Sequence, residues 1–204
     1  LRAQMNPHFI FNAMNSIQQF TLKNDTDNAN VYISKFATLL RKVLHSSQEL
    51  TINLAEEIEQ ISLYLDIEKL RMGPEFSYTL VVDEEIETDA LRLPGMLIQP
   101  FVENSLKHGL PLKEGEKNII IEFLLPEEYC LRITITDNGN RRKKAATIKE
   151  QQQKMLPYEP KGILMVEERI RFLPKSPTIR NFVSIEDQFS KEGLPSGTKV
   201  IINI

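Results

Sequence analysis

Four polar side chains that can contact a phosphate or a metal ion fall within the short stretch ENSLKHG. They are Glu103, Asn104, Lys107 and His108. Asn104 stands three residues before Lys107 and four before His108, so an α-helix would place the amide, the ammonium and the imidazole on one face. Such a face makes a poor core. Side chains of these types bind phosphate or metal-bound water, but they are equally common on a helix surface that faces solvent.

Two glycine-containing stretches offer further contacts for a ligand. The apolar stretch ITIT runs into Asp137, Asn138 and Gly139. A carboxylate at the end of a buried strand can accept a hydrogen bond from an exocyclic amine, and a glycine lets backbone and ligand approach closely. In PKGILMVEERI, Gly162 opens an amphipathic helix that can present free N–H groups to phosphate. Taken singly, DNG is equally a hairpin turn and the second glycine is a weak signal.

A histidine directly follows a proline in QMNPHFIFNAMNSI, a stretch whose apolar periodicity predicts an amphipathic helix. By itself His8 is open to three interpretations: a buried structural residue, a metal ligand or a nucleophile. An imidazole has an unperturbed pKa of about 6.5, so it is largely neutral and nucleophilic near neutral pH. Pro7 either starts the helix, with Asn6 as N-cap, or kinks a longer helix that enters from upstream.

Composition excludes several classes of protein. The chain has 204 residues, 41% of them hydrophobic, and a net charge of -3, which indicates globular material with one or two cores and no nucleic-acid-binding surface. Its one cysteine, Cys130, excludes an internal disulfide framework. No apolar run is long enough for a membrane span. Because the chain starts at Leu1 without methionine, we expect a sensor or membrane segment upstream.

The first part of the chain predicts a helical hairpin. The polar stretch NDTDN separates two apolar stripes with steps of three and four residues. A hairpin alone buries too little of these stripes, so a second copy of the chain would complete a four-helix dimer. The stripes consist of Met5, Phe9, Ala13, Ile17 and Phe20, and of Ala29, Ile33, Phe36, Leu40 and Val43.

The rest of the chain predicts an α+β fold. A third helix in NLAEEIEQISLYLDIEKLRMGP has Asn53 as N-cap and Glu56 completing a capping box. Five strands are predicted in FSYTLVV, NIIIEFLL, CLRITIT, FVSIED and TKVIINI, with helices in LIQPFVENSLKHG and KGILMVEERIRFL. This order favours one mixed sheet covered by helices. We place the domain boundary near residue 50, giving domains 1–50 and 51–204.

In this order and spacing, the motifs resemble the Bergerat ATP-binding fold that gyrase, MutL and the histidine kinases share. ENSLKHG, the strand that ends in DNG, the basic loop before a glycine-started helix, and GTKVIINI carry that resemblance. Four further stretches, QMNPHFIFNAMNSI, YISKFATLLRKVLHSS, NLAEEIEQISLYLDIEKLRM and LPGMLIQPFVENSLKHG, narrow it to the LytS-type sensor histidine kinases. The resemblance implies a helical hairpin, dimerised as a four-helix bundle, followed by a Bergerat-type α/β sandwich.

The resemblance implies roles in phosphoryl transfer for five residues. His8 is the expected phosphoacceptor. Asn104 is expected to hold the Mg²⁺ that bridges the ATP phosphates, and Lys107 and His108 to line the phosphate end of the site. Glu103 is expected to polarise the attacking group or its water.

Further residues are implied on the adenine side of the site. Asp137 is expected to accept from the adenine amino group, with Gly139 beside the base. Thr198, in GTKV, falls where the family has a hydroxyl near the adenine. Gly162 is expected to begin the helix that flanks the phosphates, and residues 140–160 to form a mobile lid.

The function implied is that of the cytoplasmic catalytic portion of a two-component sensor histidine kinase, membrane-tethered through an upstream segment. It would bind ATP with Mg²⁺, phosphorylate His8 and pass the phosphate to an aspartate of a response regulator that docks near the hairpin. Two alternatives stay open. Arg141 and Pro160 stand where the family commonly has glycine, which favours a nucleotide-binding interaction module without kinase activity. A Bergerat-fold ATPase with Glu103 as base is the other.

Overall fold

The fold is described from a computed structural model covering residues 7–127, 130–139, 166, 170, 182–190 and 192–204. The chain divides into two compact units. The first comprises Leu1–Pro74 and Thr88–Leu97, and the second comprises Glu75–Glu87 and Ile98–Ile204. In the described ranges no helix is long and apolar enough to cross a membrane.

The first unit contains three helices: α1 (Pro7–Leu22), α2 (Thr26–Ser46) and α3 (Leu54–Met72). The predicted helices on either side of NDTDN are confirmed. Asp25 caps α2, because its side chain accepts a hydrogen bond from the Asn28 N–H at 3.3 Å. α1 and α2 contact each other through Phe20 and Tyr32, whose ring centroids are 5.7 Å apart.

The buried face of α2 differs from the predicted stripe at two positions. Ile33 is 44% exposed, while its neighbour Tyr32 is buried, and Leu39 is more deeply buried than Leu40. The reason is that α2 contacts α3 as well as α1, so its buried face turns towards both helices. The buried residues of α2 are Ala29, Tyr32, Phe36, Leu39, Val43 and Ser46.

The third helix begins as the sequence predicts. The Asn53 side chain accepts from the Glu56 N–H at 2.7 Å, and the Glu56 carboxylate accepts from the Asn53 N–H at 3.1 Å. The helix ends at Met72, and its C-cap is Gly73, whose positive φ of 83° is one that glycine tolerates. Two short strands, β1 (Ile52–Asn53) and β3 (Arg92–Leu93), pair antiparallel and were not predicted, because two-residue strands leave no periodic signal.

Polar contacts join α2 and α3. Lys35 Nζ lies 2.6 Å from Asp66 Oδ2, and Gln60 Nε2 donates to Ser46 Oγ at 2.6 Å. α3 therefore belongs to the same compact unit as the hairpin. The functional division predicted near residue 50 stays a prediction, since a grouping by contacts does not test which residues perform which task.

The second unit contains the mixed five-stranded sheet that the sequence predicts. β2 pairs parallel with β4, and all the other pairs in the sheet order β2-β4-β5-β7-β6 are antiparallel. β4 and β5 form the predicted hairpin, with Glu127 opposite Cys130. The strands are β2 (Phe76–Val82), β4 (Lys117–Glu127), β5 (Cys130–Asp137), β6 (Phe182–Phe189) and β7 (Pro195–Asn203).

One face of this sheet forms the core of the second unit. Ile121 on β4, Ile135 on β5 and Ile202 on β7 are each 1% exposed or less. Val166 and Ile170, in the predicted helix KGILMVEERIRFL, are helical and buried, and the other residues of that stretch lie outside the described ranges. The observed α+β architecture confirms the predicted fold class.

Candidate functional site

The stretch ENSLKHG lies on a helix that changes its hydrogen-bonding pattern partway along. α4 (Gln99–Asn104) is α-helical and is followed by a π-helical turn, Ser105–Gly109, and a 3-10 turn, Leu110–Leu112. The N–H of Leu110 donates to the carbonyl of Ser105, a bond that spans five residues. The predicted shared face rests on α-helical spacing, and the wider turn alters that spacing at Lys107 and His108. Such turns are frequent at functional sites.

Glu103 and Lys107 form an ion pair across this change of pattern. Lys107 Nζ lies 2.6 Å from Glu103 Oε2, and Gln99 Nε2 donates to Glu103 Oε1 at 3.0 Å. Both carboxylate oxygens of Glu103 thus accept hydrogen bonds. Asn104 is half-buried and His108 is exposed.

Asp137 is the last residue of β5, and its side chain is held at both oxygens. The Ser105 hydroxyl donates to Oδ2 at 2.6 Å, and the Gly139 N–H donates to Oδ1 at 2.9 Å. The residue is only 3% exposed. An acceptor-only carboxylate is therefore fixed at the C-terminal end of the central strand β5, beside the helical turn that follows Asn104.

Glycines allow the backbone to come unusually close to Asp137. A Cβ atom on Gly139 would lie 2.4 Å from the carbonyl carbon of Gly109, and one on Gly197 would lie 1.9 Å from the Asp137 carbonyl oxygen. Real Cβ atoms do not tolerate either distance. The absence of side chains therefore lets the end of β5, the π-helical turn and β7 meet at one point.

Thr198 on β7 supplies an unpaired hydroxyl next to Asp137. The two residues are register partners in the antiparallel β5–β7 pair. Thr198 is 2% exposed, and in the part of the chain that the structure describes its Oγ1 is the buried side-chain polar atom that has no hydrogen-bond partner. Such an atom costs about 1–3 kcal/mol, so a polar ligand that bonds it would recover that cost.

These residues fit an adenine nucleotide. Asp137 offers an acceptor that Gly139 helps to hold in place, and Thr198 offers an unpaired hydroxyl. Because Ser105 both follows Asn104 and bonds Asp137, the adenine-side and phosphate-side residues predicted from sequence adjoin one another. Asn104 offers an amide oxygen to Mg²⁺, a cation held by few protein oxygens together with substrate phosphates and water. Among the described residues, no group of three or more His, Cys, Asp or Glu is arranged so that it could hold a metal ion.

The structure does not describe every predicted site residue. Gly162, Arg141, Pro160 and the predicted lid, residues 140–160, lie outside the described ranges. The backbone of His8 belongs to the first turn of α1 in the other unit, and its side chain is outside the description. The two interpretations of Pro7 both depend on residues before it, which are not described.

Three residues at the site were missed by reasoning from the sequence. Gly109 and Gly197 lie within the stretches ENSLKHG and GTKVIINI but were given no role, although a glycine at such a position is a signal of close backbone approach. Ser105 carries no comparable signal, because a serine within a helix more often bonds its own backbone.

Comparison with known proteins assigns the chain to a family. The family described as histidine kinase matches residues 1–76. The sensor protein LytS of Staphylococcus epidermidis is 33% identical over 139 residues, covering 68% of this chain and 23% of LytS. The sensor histidine kinase BtsS of Escherichia coli is 38% identical over 109 residues, covering 53% of this chain and 19% of BtsS. The chain thus spans about a quarter or less of these curated relatives.

A solved structure supports the fold. The histidine kinase domain of the blue-light activated histidine kinase of Erythrobacter litoralis superposes with a TM-score of 0.52, covering 83% of this chain and 74% of that one, at 12% sequence identity. At that identity the similarity speaks for the fold alone. The family match and the two sensor proteins show that the chain belongs to the LytS-type sensor histidine kinases.

Proposed function

We propose that the chain is the catalytic portion of a sensor kinase that binds ATP with Mg²⁺, phosphorylates His8 and passes the phosphate to an aspartate of a response regulator. The observation that carries the proposal is the fixed, buried carboxylate of Asp137 beside the unpaired hydroxyl of Thr198. A carboxylate that only accepts, next to a hydroxyl without a partner, suits the amino edge of adenine.

In this proposal the phosphates lie along α4 and its π-helical turn. Phosphoryl transfer requires mainly that the reacting groups are positioned and that developing charge is neutralised. Mg²⁺, when bound, would neutralise part of the developing negative charge, and the Asn104 side chain would hold it. Lys107 adds an ammonium and His108 an imidazole at the exposed side of the turn, while Gly162 begins the helix that flanks the phosphates.

The transfer itself is an exchange of one bond for another. A ring nitrogen of His8 forms a bond to the γ-phosphorus while the bond to the ADP oxygen breaks, and ADP leaves with that electron pair. Glu103, whose carboxylate is kept in place by Gln99 and Lys107, polarises the attacking imidazole. Because Lys107 bonds Glu103 in this structure, we expect its ammonium to move from Glu103 towards the phosphates when ATP binds.

The chain acts as a homodimer in this proposal. Phe11 and Met14 on α1 are 68% and 49% exposed, and Val31 and Ile33 on α2 are each 44% exposed. A second hairpin would bury these side chains in a four-helix bundle. The response regulator docks near His8 on the same hairpin, and an upstream segment holds the kinase at the cytoplasmic side of the membrane, as in the family the chain belongs to.

Counting the ADP released by purified protein distinguishes the proposal from its two alternatives. Without a response regulator, a kinase releases ADP only until its histidines are occupied, so we expect about one ADP per protomer and none from His8→Gln. ADP release that continues, and that survives His8→Gln, would indicate an ATPase. Bound ATP without ADP release would indicate a non-catalytic nucleotide-binding module. The family match favours the kinase.

A further inference from the structure

The hydroxyl of Ser105 has a direct contact with the predicted adenine acceptor. Ser105 is 3% exposed, and its Oγ donates to Asp137 Oδ2 at 2.6 Å. The residue opens the π-helical turn and directly follows Asn104. It is thus the point at which the helix that carries the phosphate-side residues is bonded to the residue on the adenine side.

This hydroxyl behaves differently from four serine and threonine hydroxyls on α1 and α2. Within a helix, a serine or threonine hydroxyl commonly donates to the backbone carbonyl four residues earlier. The Ser105 hydroxyl instead reaches a carboxylate 32 residues away in the sequence. The usual pattern is followed by Ser16, Thr21, Thr38 and Ser46, which donate to the carbonyls of Asn12, Ile17, Ser34 and Lys42.

Two donors on opposite sides fix the plane of the Asp137 carboxylate. Oδ2 accepts from Ser105, and Oδ1 accepts from the Gly139 N–H at 2.9 Å. Gly109 closes the Oδ1 side, since a Cβ on Gly109 would lie 3.1 Å from that oxygen. Without the serine hydroxyl, Oδ2 would have no donor of this pair and Oδ1 would keep the Gly139 N–H, so the orientation of the carboxylate would be held less firmly.

We propose that Ser105 is a positioning residue for purine selection, whose hydroxyl orients Asp137 to accept a hydrogen bond from the 6-amino group of adenine. This inference rests on the proposed function. It adds Ser105 to the residues that act on the adenine side, and it explains how the site would distinguish adenine from a 6-oxo purine. A 6-oxo purine presents an acceptor where adenine presents a donor, so a fixed carboxylate repels it. A carboxylate that rotates freely distinguishes the two purines less well.

The test is to measure the dissociation constants of ATP and inosine triphosphate, which carries a 6-oxo group, by calorimetry on the full chain. Wild-type protein should prefer ATP. Ser105→Ala should weaken ATP binding about tenfold and change inosine triphosphate binding by less than about twofold. The preference for ATP over inosine triphosphate should therefore fall about tenfold. Ser46→Ala is the matched control, because Ser46 is also a buried helical serine, 6% exposed, with a side-chain partner in Gln60. It should leave the preference unchanged.

Ser105→Cys separates the loss of the hydrogen bond from a folding defect, because it keeps the size of the side chain but is a weaker donor. Its preference for ATP should lie between those of wild type and Ser105→Ala. If Ser105→Ala keeps the wild-type preference, or weakens both nucleotides equally, the serine is structural and the inference is overturned. If Asp137→Asn still abolishes the preference in that case, the proposed function stands. A folded wild-type protein that binds neither nucleotide would overturn both.

Discussion

At the residue scale, the site depends on a charged group that is kept almost completely out of water. A buried carboxylate is costly unless hydrogen bonds compensate for the lost hydration. Asp137 accepts one from Ser105 and one from Gly139, which makes it a fixed acceptor. The aspartate at position 137 therefore has two tasks. It accepts the hydrogen bonds of Ser105 and Gly139, and it offers an acceptor to the ligand.

Asp137→Asn should weaken ATP binding about tenfold to a hundredfold, because an amide nitrogen donates where a carboxylate oxygen accepts. Calorimetric titration with ATP measures the effect. Asp83→Asn is a matched control: Asp83 follows β2 as Asp137 ends β5, and its side chain accepts from the Glu85 N–H at 3.2 Å. Equal affinity for ATP in wild type and Asp137→Asn would show that Asp137 does not contact the base.

Gly139→Ala should destabilise the second unit by about 3 kcal/mol or more, because the added Cβ would meet the backbone of Gly109 at 2.4 Å and backbone cannot move aside cheaply. Urea denaturation gives the free energy of unfolding. Gly115→Ala should cost only about 1 kcal/mol, since Gly115 has a φ of 77° but nothing within 4 Å of the added atom. Similar losses in the two variants would contradict the close approach.

Part of the candidate site could be predicted from the sequence at this scale, because the signals lie within short stretches of the chain. An acceptor at the end of an apolar strand, followed by glycine, is visible as ITITDNG. The Thr198 hydroxyl entered through family resemblance, and the structure places it beside Asp137 as a register partner. Ser105 was not predictable, because its contact joins two segments 32 residues apart and depends on how the helix meets the sheet.

At the element scale, the three helices of the first unit meet around Tyr32. Its ring is 1% exposed and lies against Phe20 of α1. Burial raises the pKa of Tyr32 above its usual value of 10.0; the nearby Glu68 carboxylate raises it further, while a hydrogen bond with Ser16 lowers it. The folded protein thus favours the neutral phenol more strongly than the unfolded chain does.

Tyr32→Phe should therefore change how stability depends on pH. The stabilising contribution of a raised pKa is fully present below the unfolded value of 10.0 and is lost as the pH rises through the folded value. Near pH 8 the free energy of unfolding of wild type should exceed that of the variant by about 1 kcal/mol, because the variant lacks the hydrogen bond of the hydroxyl. The difference should shrink as the pH rises above 10.0. Urea unfolding at several pH values measures it. A difference that stays constant would contradict the burial of the hydroxyl.

Long periodic elements were predictable, and short or irregular ones were not. The five strands of the sheet and the capping box at Asn53 follow from alternation and from side-chain chemistry close in sequence. The widened turn at Ser105–Gly109 has no period of its own, so the sequence predicts an ordinary helix there. The buried face of α2 includes Tyr32 in place of the predicted Ile33. Apolar residues occur on two adjacent faces of this helix, so tertiary contacts decide which face is buried.

At the scale of the whole molecule, the proposed kinase consists of two chains and binds a nucleotide. The helical hairpin exposes apolar side chains that a second hairpin can cover, and the end of β5 holds Asp137 beside Thr198, where we propose that ATP binds.

Phe11→Asp should shift the protein from dimer to monomer, because a carboxylate in the bundle interface would lose its hydration. Sedimentation equilibrium measures the change. Phe189→Asp is the control, since Phe189 is similarly exposed, 61% against 68% for Phe11, but lies on β6 in the other unit. A Phe11→Asp protein that remains dimeric would place the dimer interface elsewhere.

The most direct test of the account is incubation with Mg-ATP labelled in the γ-phosphate, followed by acid and base treatment of the protein. We expect wild-type protein to carry a label that is lost in acid and kept in base, as for a phosphorus–nitrogen bond. His8→Gln and Asn104→Ala should carry none, whereas His45→Gln, at the exposed histidine of α2, should be labelled as wild type is. No label on folded, dimeric wild-type protein, or label that persists in His8→Gln, would contradict the account.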